Sequence, residues 1–232
     1  YIQIFVISNE ENTRYFSNNK ELKYEFTFPW TDEFNLKRNK LTDFAKLFLD
    51  RKHLGNMLAK YIVTNETLGA LMVLRPYQYY AVEKIIDRVK NHPNENGYIW
   101  HTTGSGKTLT SFKASQILST LDEIDKVVFC VDRKDLDYQT AKEFNAFSPN
   151  SISKAEDTQE FVNNMVRGTG KIAVTTIQKL NNAISKPYYL KQMEKIKDKR
   201  IVFIFDECHR TQFGDTHARI REFFNNKQFF GF

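Results

Sequence analysis

From Leu74 onward the chain alternates short, almost wholly apolar runs with segments of helical period, and few folds accept that pattern. Lys126–Val131, Lys171–Thr175 and Ile201–Phe205 are apolar along nearly their whole length. Between and around them, Pro76–Val89, Lys107 to about Leu121, Tyr138–Phe147, Thr158–Arg167 and Ile177–Ile184 read as helices. A strand with no polar face is covered on both sides, so the pattern predicts an α/β fold: a central, mostly parallel sheet with helices on each face. Pro76 suits a helix start, where its missing N–H has no partner to lose. In such sheets ligands gather at the carboxyl ends of the strands. A hydrophobic content of 41%, with 14% aromatic residues, is ample for the core.

The first third reads differently. Tyr1–Ser8 has the composition of a strand, Asn9–Asn12 is a polar turn, and Arg14–Ser17 returns as the second arm of a hairpin. Tyr24–Trp30 alternates aromatic and polar residues. Leu41–Tyr61 carries apolar residues at helical spacing and predicts two short helices. A small α+β segment is therefore expected ahead of the sheet domain, with residues 1–38 as its β part, 39–73 as a helical linker and 74–232 as the main domain. The chain begins in mid-strand without methionine and stops in the strand-like run Phe229–Phe232, as a piece cut from something longer would.

Two motifs carry chemistry. The strand Tyr98–Trp100 feeds His101-Thr102-Thr103-Gly104-Ser105-Gly106-Lys107-Thr108, and a helix follows. Glycines let backbone N–H groups wrap a phosphate, a lysine meets the outer phosphates, and a hydroxyl ligates magnesium. Thr103 to Thr108 supply these parts, at the N-terminus of a helix where anions are favoured. The general pattern has a further glycine where His101 stands. The second motif is Asp206-Glu207, emerging from the apolar strand Ile201–Phe205. Asp206 suits magnesium, with Thr108, and Glu207 suits polarising the attacking water. Taken alone, Asp-Glu after a strand is equally a helix cap with a first-turn acid, and Gly-Ser-Gly a flexible turn. Ahead of the loop stands Arg75-Pro76-Tyr77-Gln78. The Gln78 amide offers donor and acceptor side by side, the complement of the N6 and N7 edge of adenine, or else it is a surface glutamine on an amphipathic helix.

Charge adds little: 34 Lys+Arg against 28 Asp+Glu, a net +6, suits a polyanionic partner without requiring one. The two cysteines, Cys130 and Cys208, both follow apolar strand-like runs, which points away from a disulfide and towards a reducing, cytoplasmic compartment. No window has the length and apolarity of a membrane span, so no membrane partner is expected.

Arg75–Gln78, His101–Thr108, Val131–Leu136, Thr175–Gln178 and Asp206–His209 occur in the order of superfamily-two helicases and translocases. They resemble the adenine-reading glutamine motif and motifs one, one-a, one-b and two. More narrowly, Ile99–Thr108, Val131–Thr140 and Phe205–Arg210 resemble the motor (R) subunit of type I restriction–modification enzymes. The opening Gln3–Asn9 resembles the stretch after the nuclease core of that subunit, and Phe230-Gly231-Phe232 the approach to motif three.

The resemblance implies a first RecA-like P-loop lobe that uses ATP and Mg2+, preceded by the tail of a nuclease domain. It also implies double-stranded DNA translocation in a complex with methylation and specificity subunits, with cleavage at a distance. By the same resemblance Arg133, Thr176 and Gln178 fall where the DNA backbone is touched, and His209 where the nucleotide site is coupled to the later motif. Each of these is equally a cap, a surface group or a structural hydrogen bonder. Nuclease carboxylates and a second motor lobe are not recognisable here, so the chain by itself is expected to bind nucleotide weakly and neither to translocate nor to cut. Another superfamily-two DNA or RNA helicase would share every motif, and a non-catalytic nucleotide-binding scaffold is the remaining alternative.

Overall fold

The computed structural model describes the chain except residues 1, 21–22, 68, 103, 132–141, 143, 146–151, 156, 169 and 207–213. The expected helix Tyr138–Phe147 lies largely outside the described residues. The chain divides into two compact units, Tyr1–Glu83, and Lys84–Asn145 with Pro149–Phe232.

In the first unit, β1 (Ile4–Ser8) and β2 (Thr13–Ser17) form an antiparallel hairpin with Ile4 opposite Ser17. Helices α1 (Leu41–Phe48) and α2 (Arg51–Asn56) follow, the second capped by Asp50, whose carboxylate accepts from the N–H groups of Lys52 and His53. A π-turn over Met57–Tyr61 then leads into a second hairpin, β3 (Ile62–Asn65) and β4 (Ala70–Val73). That hairpin departs from the helical linker expected here. Its strands are too short for apolar runs to reveal their period, and the turn depends on Gly69 at φ 58°. The core is aromatic. Trp30, Tyr15, Phe44, Phe48 and Tyr61 are all buried, and the Trp30 ring lies 5.7 Å from Tyr15 and 5.1 Å from Phe48. Such rings bury large areas and gain further from edge-on packing. Helix α3 (Pro76–Asn91) starts in this unit and ends in the next.

The second unit holds the predicted sheet. Its strands are β5 (Gly97–Tyr98), β6 (Lys126–Val131), β7 (Ile152–Lys154), β8 (Ile172–Thr176), β9 (Ile201–Phe205) and β10 (Lys227–Gly231). Among the described residues they form one six-stranded parallel sheet in the order β5-β10-β9-β6-β8-β7. Among the described residues, helices α4 (Lys107–Ser119), α5 (Thr158–Val166), α6 (Ile177–Ser185), α7 (Pro187–Met193) and α8 (Gly214–Phe223) belong to the unit.

Alternate strand residues point to opposite faces. Val128, Cys130, Phe203, Phe205 and Phe229 share one core with Phe161 of α5, Leu180 of α6 and Phe224. Phe129, on the other face, meets Phe144, which in turn meets Phe112 of α4, at 4.9 and 5.1 Å. Coverage on both faces explains why these strands carry no polar alternation.

Candidate nucleotide site

The glycine loop leaves the carboxyl end of β5. Gly97 begins that strand against Phe230, and a Cβ there would run into the phenyl ring. The loop closes by a short turn in which the Ser105 N–H and hydroxyl both donate to Thr102 O, at 3.2 and 2.6 Å. Gly104 and Gly106 then adopt φ 76° and 80°, a region that L side chains rarely enter. A Cβ on Gly104 would meet only open space, so backbone conformation rather than crowding demands glycine there. Helix α4 starts at Lys107 directly after Gly106, an N-cap residue that brings no side chain of its own. Glycine backbone, a helix N-terminus and a lysine are the parts suited to a phosphate chain. Thr108 is half-buried in the same turn.

His101 stands where the general loop pattern has glycine. Its half-buried ring packs edge-on against Phe232, 5.8 Å between centroids, so this position accommodates a side chain. Burial, and next the nearby Lys107 cation, hold the imidazole below its usual pKa.

Asp206 follows the last residue of β9, and its N–H donates to Cys130 O at the end of β6, at 3.0 Å. The chain beyond β10 meets the same edge, Phe232 N–H donating to Phe205 O at 3.0 Å. The loop and Asp206 therefore leave the same edge of the sheet, the carboxyl edge, from β5 and β9. Only β10 lies between those strands, which puts their ends roughly 10 Å apart at the usual strand spacing. The residue pattern of Phe229–Phe232 predicts a strand but carries no signal that it inserts between the two motifs. Hard oxygen ligands, the Thr108 hydroxyl and the Asp206 carboxylate, are the donor type that magnesium prefers. Thr103, Glu207, His209 and Arg133 lie outside the described residues.

Gln78 is neither a surface glutamine nor an open amide. It is 3% exposed, and its Oε1 accepts from the Arg75 N–H at 2.9 Å, closing the first turn of α3 as a capping box does. Arg75 is exposed, with its guanidinium over the Phe28 ring at 4.9 Å and Nη1 3.3 Å from the Tyr77 hydroxyl. Thr176 is buried and caps α6, its hydroxyl accepting from Lys179 N–H at 3.2 Å. Gln178 is exposed on the first turn of the same helix. Of the two, Gln178 alone presents its side chain to solvent, and Thr176 takes the cap role that its sequence position left open.

Comparison with known proteins gives the family. Residues 77–232 match the SWI2/SNF2 ATPase family. The chain is 50% identical over its whole length to the type I restriction enzyme SsaAORF53P endonuclease subunit of Staphylococcus saprophyticus, covering 25% of that protein. It is also 43% identical to a Mycoplasma pneumoniae protein described as the C-terminal part of the endonuclease subunit of the putative type I restriction enzyme MpnIIP. That match covers 84% of this chain and 99% of the relative. The chain belongs to the type I restriction enzyme endonuclease subunits and carries a SWI2/SNF2 ATPase domain.

It spans about a quarter of the length of the staphylococcal subunit. The SWI2/SNF2 ATPase core of Sulfolobus solfataricus, solved in complex with double-stranded DNA, superposes with a TM-score of 0.53 at 16% identity, over 75% of this chain and 33% of that one. That likeness establishes the RecA-like α/β fold. Among the described residues no helix is long and apolar enough to cross a membrane.

Proposed function

We propose that this chain is the ATP-binding motor lobe of a type I restriction endonuclease subunit, acting in the cytoplasm to couple ATP hydrolysis to movement of double-stranded DNA before cleavage. The observation that carries this reading is the emergence of the glycine loop and Asp206 from one edge of one parallel sheet. Lys107 and the loop amides of Gly104, Ser105 and Gly106 bind the outer phosphates, the lysine as a point charge and the amides as directed donors. Thr108 and Asp206 hold magnesium, which when bound neutralises phosphate charge. Glu207 orients the attacking water. Gln178 meets the DNA backbone, with Thr176 fixing the helix start that presents it, and Arg133 contributes a guanidinium suited to phosphates. His209 couples the nucleotide site to the later motif. The lobe's partners in this reading are double-stranded DNA and the methylation and specificity subunits of a restriction–modification complex; the relatives' names, type I restriction enzyme endonuclease subunits, support the restriction-enzyme setting.

The test uses the full-length subunit in its complex. Lys107→Ala and Asp206→Asn are expected to abolish DNA-stimulated ATP hydrolysis, and Glu207→Gln to reduce it about 100-fold or more. Unchanged turnover in all three would make the lobe a scaffold. Stronger stimulation by RNA than by duplex DNA would favour the RNA-helicase reading.

A further inference from the structure

The glycine loop and Asp206 follow β5 and β9, two strands with β10 between them. Their carboxyl ends carry the site, while their amino ends are joined by one chain of hydrogen bonds through β10. Arg200 directly precedes β9, and its Nη2 donates to Gln228 Oε1 on β10 at 2.6 Å. Gln228 Nε2 donates in turn to three carbonyls at the end of α3 and in the turn that leads to β5. These are Arg88 O at 3.3 Å, His92 O at 3.0 Å and Glu95 O. Arg200 also reaches that turn directly, Nη1 donating to Pro93 O at 3.1 Å.

Both side chains are shut away from water, Gln228 at 0% exposed and Arg200 at 9%. A cation on the oxygen of an amide strengthens the donors on its nitrogen, and carbonyls at a helix C-terminus carry partial negative charge. The foot of β9 is held from another side as well, the Arg200 N–H donating to Asp125 Oδ2 at 2.8 Å. The turn before β5 has two further ties. Asn96 Oδ1 accepts from the Phe229 N–H at 3.0 Å, and Asn96 O accepts from Arg88 Nη1 at 2.9 Å.

These anchors matter because β5 is short. Its ladder with β10 comprises Gly97 and Tyr98, continued by the Ile99 N–H on Gly231 O at 2.8 Å. An extended chain hardly stretches, so whatever fixes the foot of a strand fixes the height of its far end. A magnesium site tolerates little error in that height, since it demands near-octahedral oxygens at about 2.1 Å.

We propose that Gln228, together with Arg200, is a positioning residue for the nucleotide site. The clamp at the amino ends of β5 and β9 sets the heights at which Thr108 and Asp206 are offered to one magnesium ion. This rests on the reading of the glycine loop and Asp206 as a magnesium–nucleotide site. It adds that the alignment of the two ligands is fixed at the opposite edge of the sheet.

The experiment measures how tightly the full-length subunit, in its complex, binds a fluorescent non-hydrolysable ATP analogue with and without Mg2+. The readout is the factor by which Mg2+ tightens binding. Gln228→Met is expected to reduce that factor about tenfold, the lower end of what lost support of a metal's ligands costs, with affinity in the absence of Mg2+ held within about twofold. Arg200→Met should reduce it similarly, and the double variant no further, because the two side chains are links of one chain. Gln228→Glu keeps an acceptor for Arg200 but has no donor for the carbonyls. It should lose as much as Gln228→Met and stands in where that variant does not fold. Phe161→Leu, a core change on α5, loosens the same unit without touching the clamp and should leave the factor unchanged. Hydrogen exchange gives a second readout that needs no nucleotide: the Ile99 N–H should exchange faster in Gln228→Met than in Phe161→Leu.

Retention of the full factor by both Gln228 variants, or an equal loss in Phe161→Leu, overturns the clamp. So does an Ile99 N–H that exchanges alike in the clamp and core variants. If Lys107→Ala leaves nucleotide affinity unchanged, the nucleotide reading itself fails and this inference falls with it.

Discussion

In the first unit several side-chain donors to backbone carbonyls are neutral: the buried Tyr15 hydroxyl on Leu74 O, and the half-buried Ser17 hydroxyl and Asn19 amide on Leu71 O. The Arg14 guanidinium on Thr27 O is a cationic one. In the second unit cations do that work. Lys126 Nζ donates to Asn164, Gly168 and Gly170 carbonyls at 3.1, 2.8 and 2.6 Å, at and just beyond the end of α5. Lys179 Nζ reaches Ala155 O at 2.7 Å, and Arg200 reaches Pro93 O and the Gln228 amide oxygen at 3.1 and 2.6 Å. The difference follows from architecture. At Lys126 the partner is a helix C-terminus, with unpaired carbonyls and partial negative charge that a cation satisfies, whereas Lys179 and Arg200 tie loop and side-chain oxygens to the sheet. A hairpin-and-helix unit has few such ends and concentrates its cohesion in a few large rings.

The largest expected effect follows from that concentration. Trp30→Ala should cost about 3–5 kcal/mol, as deletion of a fully buried large ring does, and Phe203→Ala in β9 a similar amount. Hydrogen exchange read segment by segment separates them. Trp30→Ala is expected to deprotect β1 to β4 and leave β6, β8 and β9 protected, with Phe203→Ala doing the reverse. Equal deprotection of every strand by either variant would mean that the chain unfolds as one cooperative body and that the contrast has no energetic content.

Two lysines sharpen the comparison with opposite signs. Lys126→Met removes three charge-assisted hydrogen bonds, which outweigh the burial that lowers the pKa of this lysine too, and should destabilise by about 2–4 kcal/mol. Lys113, on α4, is 5% exposed, and burial pulls its pKa down to about 8 from 10.5. A cation held below its unfolded pKa costs stability while it is charged. Lys113→Met should therefore stabilise by about 1–2 kcal/mol at pH 7. Between pH 8 and 10.5 the unfolded state binds the extra proton, so the parent gains stability as pH rises and the advantage shrinks. Urea unfolding of both variants at pH 7 and pH 9 checks the signs. Two lysine variants shifting in the same direction would show that cations in this unit share one role.

The same architecture decides what could be read in advance. Strands β6, β8 and β9 were legible because burial on both faces writes itself into a few consecutive residues, and the glycine loop because its backbone demands particular residue types. The β3–β4 hairpin was not legible, since four-residue strands carry no period and their docking relies on Asn19 and Ser17, some fifty residues away. Nor did sequence reveal that Gln78 caps its own helix or that Thr176 is buried: a cap and a contact residue use the same side chains, and only burial tells them apart. The place of β10 between β5 and β9 is a matter of topology, which local pattern does not encode.

The smallest expected effect concerns histidines, which the two units distribute unequally. Burial, the first cause at each site, lowers the pKa of His53 in the first unit and of His101 and His217 in the second. Asp50 opposes the shift at His53, whereas Lys107 and Arg221 reinforce it at His101 and His217. With folded pKa values below the unfolded 6.5, the unfolded state takes up protons first as pH falls through that value. Stability is then lost on acidification until the folded-state pKa is passed, by at most about 1.4 kcal/mol per pH unit for each histidine. Since two of the three stand in the sheet unit, hydrogen exchange should show that β6, β8 and β9 lose protection faster than β1 to β4 between pH 7 and 5.5. The double variant His101→Asn/His217→Asn should remove most of that excess, because a neutral amide binds no proton in either state. Should the excess persist in the double variant, the acid sensitivity of the sheet comes from its carboxylates, and the histidines do not separate the two units.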